Sequence, residues 1–361
     1  MILGIPIFSA LLFDSDALVA IDTLSILGIV FLLFLAGLEI DLKYLRKTAK
    51  DSVIIGLAAS LIPMFLGFLA LLYLGYTTSI ALVFGICLGI TAGGTIIGVL
   101  MDLNVVNTKL GAIFVAAGTV DDILEILLLS LITLIVQGGN LTQITLLPLQ
   151  LLAFVVIAFA LFKILERVMP YIKVHAELEG SNVELFSIAI IILIGLATLS
   201  ELLQIGYLIG AIVAGFLLQY SFKNISTKNK TEIINTTRLI ALAVVVPFFF
   251  VSIGLNFNIE LLFSSPAITI LAILIAIGGA IFGALLMKPF SKLSSRQLYL
   301  IGWAMSSKGS VELVVALLAQ RYGLLPPEIF SAVVAMAIVT TLTFPFVMKR
   351  ELGKNRAIMD V

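Results

Sequence analysis

Charge is scarce in this 361-residue chain. Only 12% of the residues are charged, against 61% hydrophobic, and the mean hydropathy is +1.23. A soluble domain carries roughly 25% charged residues, because it must cover its surface with groups that water solvates. That excludes a soluble enzyme. A single cysteine, Cys87, excludes a disulfide framework, and a single histidine, His175, argues against a metal site built from histidines. Basic and acidic residues balance at 21 each, so no cationic surplus points to a nucleic-acid partner. No nucleophile–base pair or metal cluster supports enzymatic chemistry, and no cofactor is called for. What the chain has in abundance is long apolar runs.

A helix needs about 20 mostly apolar residues to cross a bilayer. Eleven runs qualify, at 23–40, 52–74, 78–100, 108–136, 145–165, 183–200, 205–220, 239–255, 266–287, 297–320 and 326–348. They are continuous rather than alternating, which argues against a membrane β-barrel. The short connections leave no room for an inserted soluble domain, and none is expected after Val361. The expected fold class is therefore all-α and polytopic, a single transmembrane domain over 1–361 with the lipid bilayer as its solvent. Pro247 and Pro345 are expected to kink their spans, Cys87 to serve packing, and His175 to lie in a solvated linker.

Basic residues concentrate in cytoplasmic loops. Sorted by the gaps between runs, 19 of the 21 fall on one side; Arg321 falls on the other and Lys308 inside a span. The alternation predicts a cell-membrane protein with a cytoplasmic C-terminus. Residues 1–13 are apolar but too short to span, and they lack the basic start of a signal peptide. They are read as the remnant after a missing helix.

An ion facing lipid at the bilayer centre costs several kcal/mol or more, so charges inside spans invite a functional reading. The run 108–136 contains Asp121, Asp122 and Glu125. Asp122 lies about 21 Å along that helix at 1.5 Å per residue, near mid-membrane. Glu125 returns to the face shared by both aspartates. Like charges so close cannot all ionise cheaply. A carboxylate that holds either a proton or a metal cation is the minimal machinery of a cation/proton exchanger; the bland alternative is a hydrogen-bonded packing network of protonated acids.

Two other runs have weak helical centres: Gly89–Thr95, with two adjacent glycines between Thr91 and Thr95, and Met305–Ser310, which contains Lys308. Local unwinding there would free carbonyls that suit cations and amides that suit carboxylates. The two runs have opposite orientation; each is preceded by an uncharged run (52–74 and 266–287) and followed by one more run (108–136 and 326–348). This predicts an inverted repeat, with a first core over 52–136 (broken helix 78–100, acidic helix 108–136) and a second over 266–348 (broken helix 297–320). Lys308 requires a counter-charge or a water-filled cavity. Glu312, one turn on, Glu39 at the end of the first run, and the Asp121/Asp122 site are the available partners.

These stretches resemble the monovalent cation:proton antiporter-2 family of sodium/proton and potassium/proton exchangers. The likeness is carried by Phe31–Asp41 (FLLFLAGLEID), Val120–Leu124 (VDDIL), Gly206–Leu217 (GYLIGAIVAGFL), Val246–Leu255 (VPFFFVSIGL) and Gly302–Val315 (GWAMSSKGSVELVV), in family order along the chain. The resemblance implies two crossed discontinuous helices, a core and a dimerisation domain (hence a homodimer), and elevator-like alternating access. It implies Asp122 as the principal ion- and proton-binding carboxylate, Asp121 as the variable member of the pair, and Lys308 in the place of a basic residue on the second broken helix. Departures are visible too. Glu312 stands two positions beyond the usual glutamate, Glu125 has no family counterpart, and Ala280 stands where many members carry a lysine, which bears on stoichiometry. Met1–Pro6 (MILGIP) looks like the turn that usually follows one or two earlier helices.

The expected function is exchange of Na+ or K+ for H+. The cation would be held by Asp121 and Asp122 with help from Thr91 and Thr95, and Glu125, Lys308, Glu39 and Glu312 would be supporting charges. The alternatives are a sodium-coupled organic-anion carrier of the same fold and a truncated, non-transporting membrane subunit.

Overall fold

The structure, a computed structural model, describes residues 14–40, 42–136, 141–179, 183–221 and 227–359. The apolar stretch 1–13 lies outside the described residues. Apolar runs far from water must satisfy their backbone groups internally, and among the described residues the chain is helical with no strand.

In chain order the helices are α1 (Ser15–Glu39), α2 (Leu42–Tyr73), α3 (Thr78–Gly89), α4 (Gly93–Asp102), α5 (Lys109–Val136), α6 (Leu141–Glu179), α7 (Val183–Leu202), α8 (Tyr207–Ser221), α9 (Thr227–Ile240), α10 (Val246–Asn256), α11 (Ile259–Ser264), α12 (Pro266–Leu274), α13 (Ala280–Leu286), α14 (Ser295–Met305), α15 (Val311–Arg321) and α16 (Pro327–Lys354). A helix falls on each of the eleven expected runs. Among the described residues, six helical stretches are long and apolar enough to cross a membrane: Asp16–Glu39, Asp51–Tyr73, Thr78–Asp102, Ile234–Asn256, Pro266–Phe290 and Pro327–Lys354. Pro148–Ile164, Phe186–Leu202 and Tyr207–Ser221 are shorter apolar helices. The 28-residue α5 has the length but carries three acids, and the run 297–320 is cut in two.

Several boundaries move outward from the sequence reading, because a helix does not stop where its apolar run meets water. The expected linker holding His175 is instead the last part of α6, which continues to Glu179. The bends expected at the prolines are resolved differently. Pro345 sits inside continuous α16. Pro247 follows a π turn over Ala241–Val245, in which the Val246 amide reaches back five residues to the Ala241 carbonyl. A second π turn, Ile275–Gly279, joins α12 to α13. Such widened turns absorb one extra residue without ending the helix.

The described helices divide into two compact units, residues 42–128 with 253–359 and residues 14–40 with 129–252. In the second, α1 packs on α8, and α8 on α6 and α7. Gly37 and Gly215 permit the α1–α8 approach, since a Cβ on either would run into the other helix's backbone, at the Ile212 and Phe34 carbonyls respectively. In the first unit, α2 packs on α3 and α13, α13 on α14, and α15 and α16 on each other. Its core includes Ile55, Ile96, Leu100, Phe114, Leu298, Ile301 and Phe344. A short C-terminal turn closes the same cluster: Ile358 and Met359 are buried in it, the Gln297 amide donates to the Ile358 carbonyl (3.0 Å), and Arg356 donates to the Leu103 carbonyl at the end of α4 (3.1 Å).

Candidate ion-binding site at two helix breaks

The first unit contains both interruptions. α3 ends at Gly89, residues 90–92 are not helical, and α4 begins at Gly93. α14 ends at Met305, and α15 begins only at Val311. A helix end exposes carbonyls at its C-terminus and amides at its N-terminus, and buried ones need partners. Here the two breaks satisfy each other. The Ala92 amide donates to the Ser307 carbonyl (3.0 Å), and the Thr91 hydroxyl donates to the Met305 carbonyl (2.8 Å). Gly309 makes the approach possible, as a Cβ there would lie 2.6 Å from the Ala92 Cβ.

Lys308 lies in the second break and is fully buried. Its ammonium donates to the Gly89 carbonyl (3.2 Å) and more distantly to the Met305 carbonyl (3.5 Å), the last residues of α3 and α14. The negative ends of two helix dipoles thus converge on one cation. The backbone of Lys308 is held from α16: its amide donates to the Thr340 hydroxyl (3.3 Å), and the Thr341 hydroxyl donates closely to its carbonyl.

The acids of α5 meet the other polarity of the first break. Asp121, 2% exposed, accepts on both carboxylate oxygens: from the Ser60 hydroxyl of α2 at short range, and from the Thr91 amide at 2.6 Å. Two converging donors suit an ionised carboxylate. Asp122 is partly exposed, and its carboxylate lies against the first residue of α4; a Cβ on Gly93 would come within 3.0 Å of its Oδ1. Thr95 lies on the first turn of α4, its hydroxyl facing Gly309 across the junction. Glu125 is buried and feels the charges of Asp122, Asp121 and Glu312. Glu312, on the first turn of α15, is fully buried and interacts electrostatically with Lys308 and Asp121.

Of the residues singled out from the sequence, the structure brings together Asp121, Asp122, Glu125, Thr91, Thr95, Lys308 and Glu312 in the first unit. Glu39 does not join them. Suggested as one partner for Lys308, it belongs to the second unit and pairs with Arg238, in the last turn of α9, at 3.2 Å. Ser60, Thr340 and Thr341 were missed, and Cys87, read as packing, also touches the site. The first three are polar residues inside apolar runs, which is the signal that marks them. The Cys87 thiol donates to the Glu312 backbone carbonyl (3.7 Å), a contact nothing in its sequence surroundings announces.

The chain matches the family model described as sodium/hydrogen exchanger, transmembrane, over residues 1–350. It belongs to that family. It is a multi-pass membrane transporter of the monovalent cation:proton antiporter kind, not an enzyme. It is 30% identical to a Na(+)/H(+) antiporter of Enterococcus hirae, across 92% of this chain and 85% of that protein. It is also 30% identical to the Na(+)/H(+)-K(+) antiporter GerN of Bacillus cereus, across 99% of this chain and 90% of that one. Its fold is that of the sodium proton antiporter MjNhaP1 from Methanocaldococcus jannaschii, solved at pH 8, with a TM-score of 0.65 and 19% identity over 98% of this chain and 89% of the other. The two discontinuous helices, α3/α4 and α14/α15, belong to that antiporter fold.

Proposed function

We propose that the protein exchanges Na+ or K+ for H+ by competition of the two ions for Asp122 and Asp121, with the site opening alternately to the two sides of the membrane. The observation that carries this reading is the setting of the two aspartates. Asp122 lies at the start of the half-helix α4, where its ionised form is favoured, and it is partly open; Asp121 beside it already accepts two hydrogen bonds. A dehydrated monovalent cation needs several oxygens. The carboxylates would supply the charge, and the Thr91 and Thr95 hydroxyls with carbonyls of residues 90–92 would supply the rest. Lys308 keeps the junction from accumulating negative charge when the acids are ionised.

A proton on Asp122 removes the charge the cation requires, so each ion expels the other. Both Na+ and K+ fit the chemistry. The resemblance of the chain to one relative named for Na+ and another named for both ions supports treating them together. The 19 basic residues on one side of the spans support a cytoplasmic C-terminus.

The test is cation-driven proton flux in proteoliposomes across Li+, Na+ and K+. Wild-type protein is expected to move protons against at least one of these, and Asp122→Asn to move none. Full flux in the Asn variant would sink the mechanism.

A further inference from the structure

Two bases near the C-terminal end of α16, Lys349 and Arg350, are used by nothing described so far. Both are exposed, and among the described residues neither side chain has an ion pair or a hydrogen bond. The other bases around them are committed. Arg296 (3.0 Å) and Lys354 (2.6 Å) share Glu351, Lys288 donates to the Leu293 carbonyl, and Arg356 to the Leu103 carbonyl. Helix geometry puts the two free cations on a particular face. At 100° per residue, Leu342, Phe346, Lys349 and Arg350 fall within an arc of about 100° and rise about 12 Å along the axis. Leu342 is 60% exposed and Phe346 74%. Phe344, Met348 and Leu352, on the opposite side of α16, are buried in the core of the first unit, and Glu351 turns away toward α14. The helix thus carries an uncovered apolar stripe that ends in two unpaired cations. Setting the orientation of the chain requires basic residues near the end of a span, but it is indifferent to the face they take. Here they take the face that meets lipid, where their stems can lie on apolar surface and their charged ends can reach the interface.

We propose that this face of α16 binds an anionic phospholipid of the adjoining leaflet, its phosphate held by Lys349 and Arg350 and an acyl chain laid along Phe346 and Leu342. A phospholipid presents the same two surfaces in the same order, a charged head and then an apolar chain. Negative charge selects among lipids, because a zwitterionic headgroup brings its own cation to the phosphate and gains less from two more. The stripe begins directly after Thr340 and Thr341, the two residues through which α16 holds the backbone of Lys308. A lipid seated there braces the helix that supports the second break, so binding is read as stability of the whole chain. The inference is independent of which ion the protein exchanges.

The experiment follows thermal unfolding of the full chain in detergent while phosphatidylglycerol or phosphatidylcholine is added. Wild type is expected to melt higher with phosphatidylglycerol and to respond little to phosphatidylcholine. Each base near an anionic membrane surface is worth about fivefold in affinity. Lys349→Gln/Arg350→Gln is therefore expected to need about 25-fold more phosphatidylglycerol for the same stabilisation, and Lys349→Arg/Arg350→Lys to need the wild-type amount. The control, Lys163→Gln/Arg238→Gln, removes the same charge from two bases of the other unit that are already paired, with Glu166 and Glu39, and is expected to keep the wild-type response. An equal loss in the control would mean that net charge alone attracts the lipid, and an equal rise with inorganic phosphate would mean a site for free anions; either overturns the proposal. Native mass spectra provide the second measurement. Wild type is expected to retain phosphatidylglycerol and the Gln variant to lose it, whereas loss of a second copy of the chain instead of lipid assigns the face to a subunit contact and overturns the proposal.

Discussion

The two helix breaks of the first unit sit face to face but do opposite electrostatic work. The first, residues 90–92, contains no charge of its own and offers an amide and a half-helix start to the acids of α5. The second, residues 306–310, brings its own cation and spends it on the carbonyl ends of both interrupted helices. One break therefore receives negative charge and the other supplies positive charge. Exchange needs that asymmetry, because a site holding only acids would be filled permanently by protons, and a site holding an exact ion pair would leave nothing for a cation to do.

The largest effect in breaking this asymmetry is expected from Lys308→Met. Removing one member of a buried charge system costs about 3–5 kcal/mol. The variant is expected to lose exchange and to melt well below wild type in detergent, with Lys308→Arg recovering stability more than transport. Thermal unfolding read alongside proteoliposome flux checks both halves of that statement.

A steric wedge between the breaks comes next. In Gly309→Ala the new methyl meets the Ala92 side chain at 2.6 Å, whereas a methyl at Gly98 meets nothing within 4 Å. Flux is expected to fall severalfold or more in the first and to stay at wild-type rate in Gly98→Ala. Equal rates in the two variants would mean that the junction has slack the packing does not show.

The smallest expected effect sharpens the anion-receiving side. Ser60→Ala deletes one of the two donors to Asp121. Losing a hydrogen bond to a charged group costs about 1.5–3 kcal/mol, so the ionised form of Asp121 becomes harder to reach. The proton then competes better, and apparent cation affinity at neutral pH is expected to drop about tenfold, recovering as pH rises. Concentration dependence of flux at two pH values measures it.

Much of this arrangement is legible in the sequence because membrane burial is unforgiving. An apolar run of 20 residues has few options besides a helix, and Gly93-Gly94 and Ser306-Ser307-Lys308-Gly309 stand out where the helices part. The acids of α5 and Lys308 are conspicuous for the same reason. What composition does not carry is pairing. Glu39, Glu312 and the two aspartates were equivalent partners for Lys308 on charge alone. Only the fold assigns Glu39 to Arg238 and buries Glu312 within electrostatic reach of Lys308. Ser60 looks like any small residue tolerated in a helix until α2 is laid beside α5. Helix ends were legible least, since α6 runs past its apolar stretch to Glu179 on residues that water tolerates equally well in a loop or a helix.

The central claim is that one carboxylate site holds either a proton or a cation. Direct binding of Na+ or K+ to the purified protein, measured by calorimetry over a series of pH values, tests it without relying on transport. Apparent affinity is expected to fall by up to about tenfold for each unit of acidification once Asp122 protonates, with no cation binding in Asp122→Asn. An affinity that stays level across the whole pH range would contradict it.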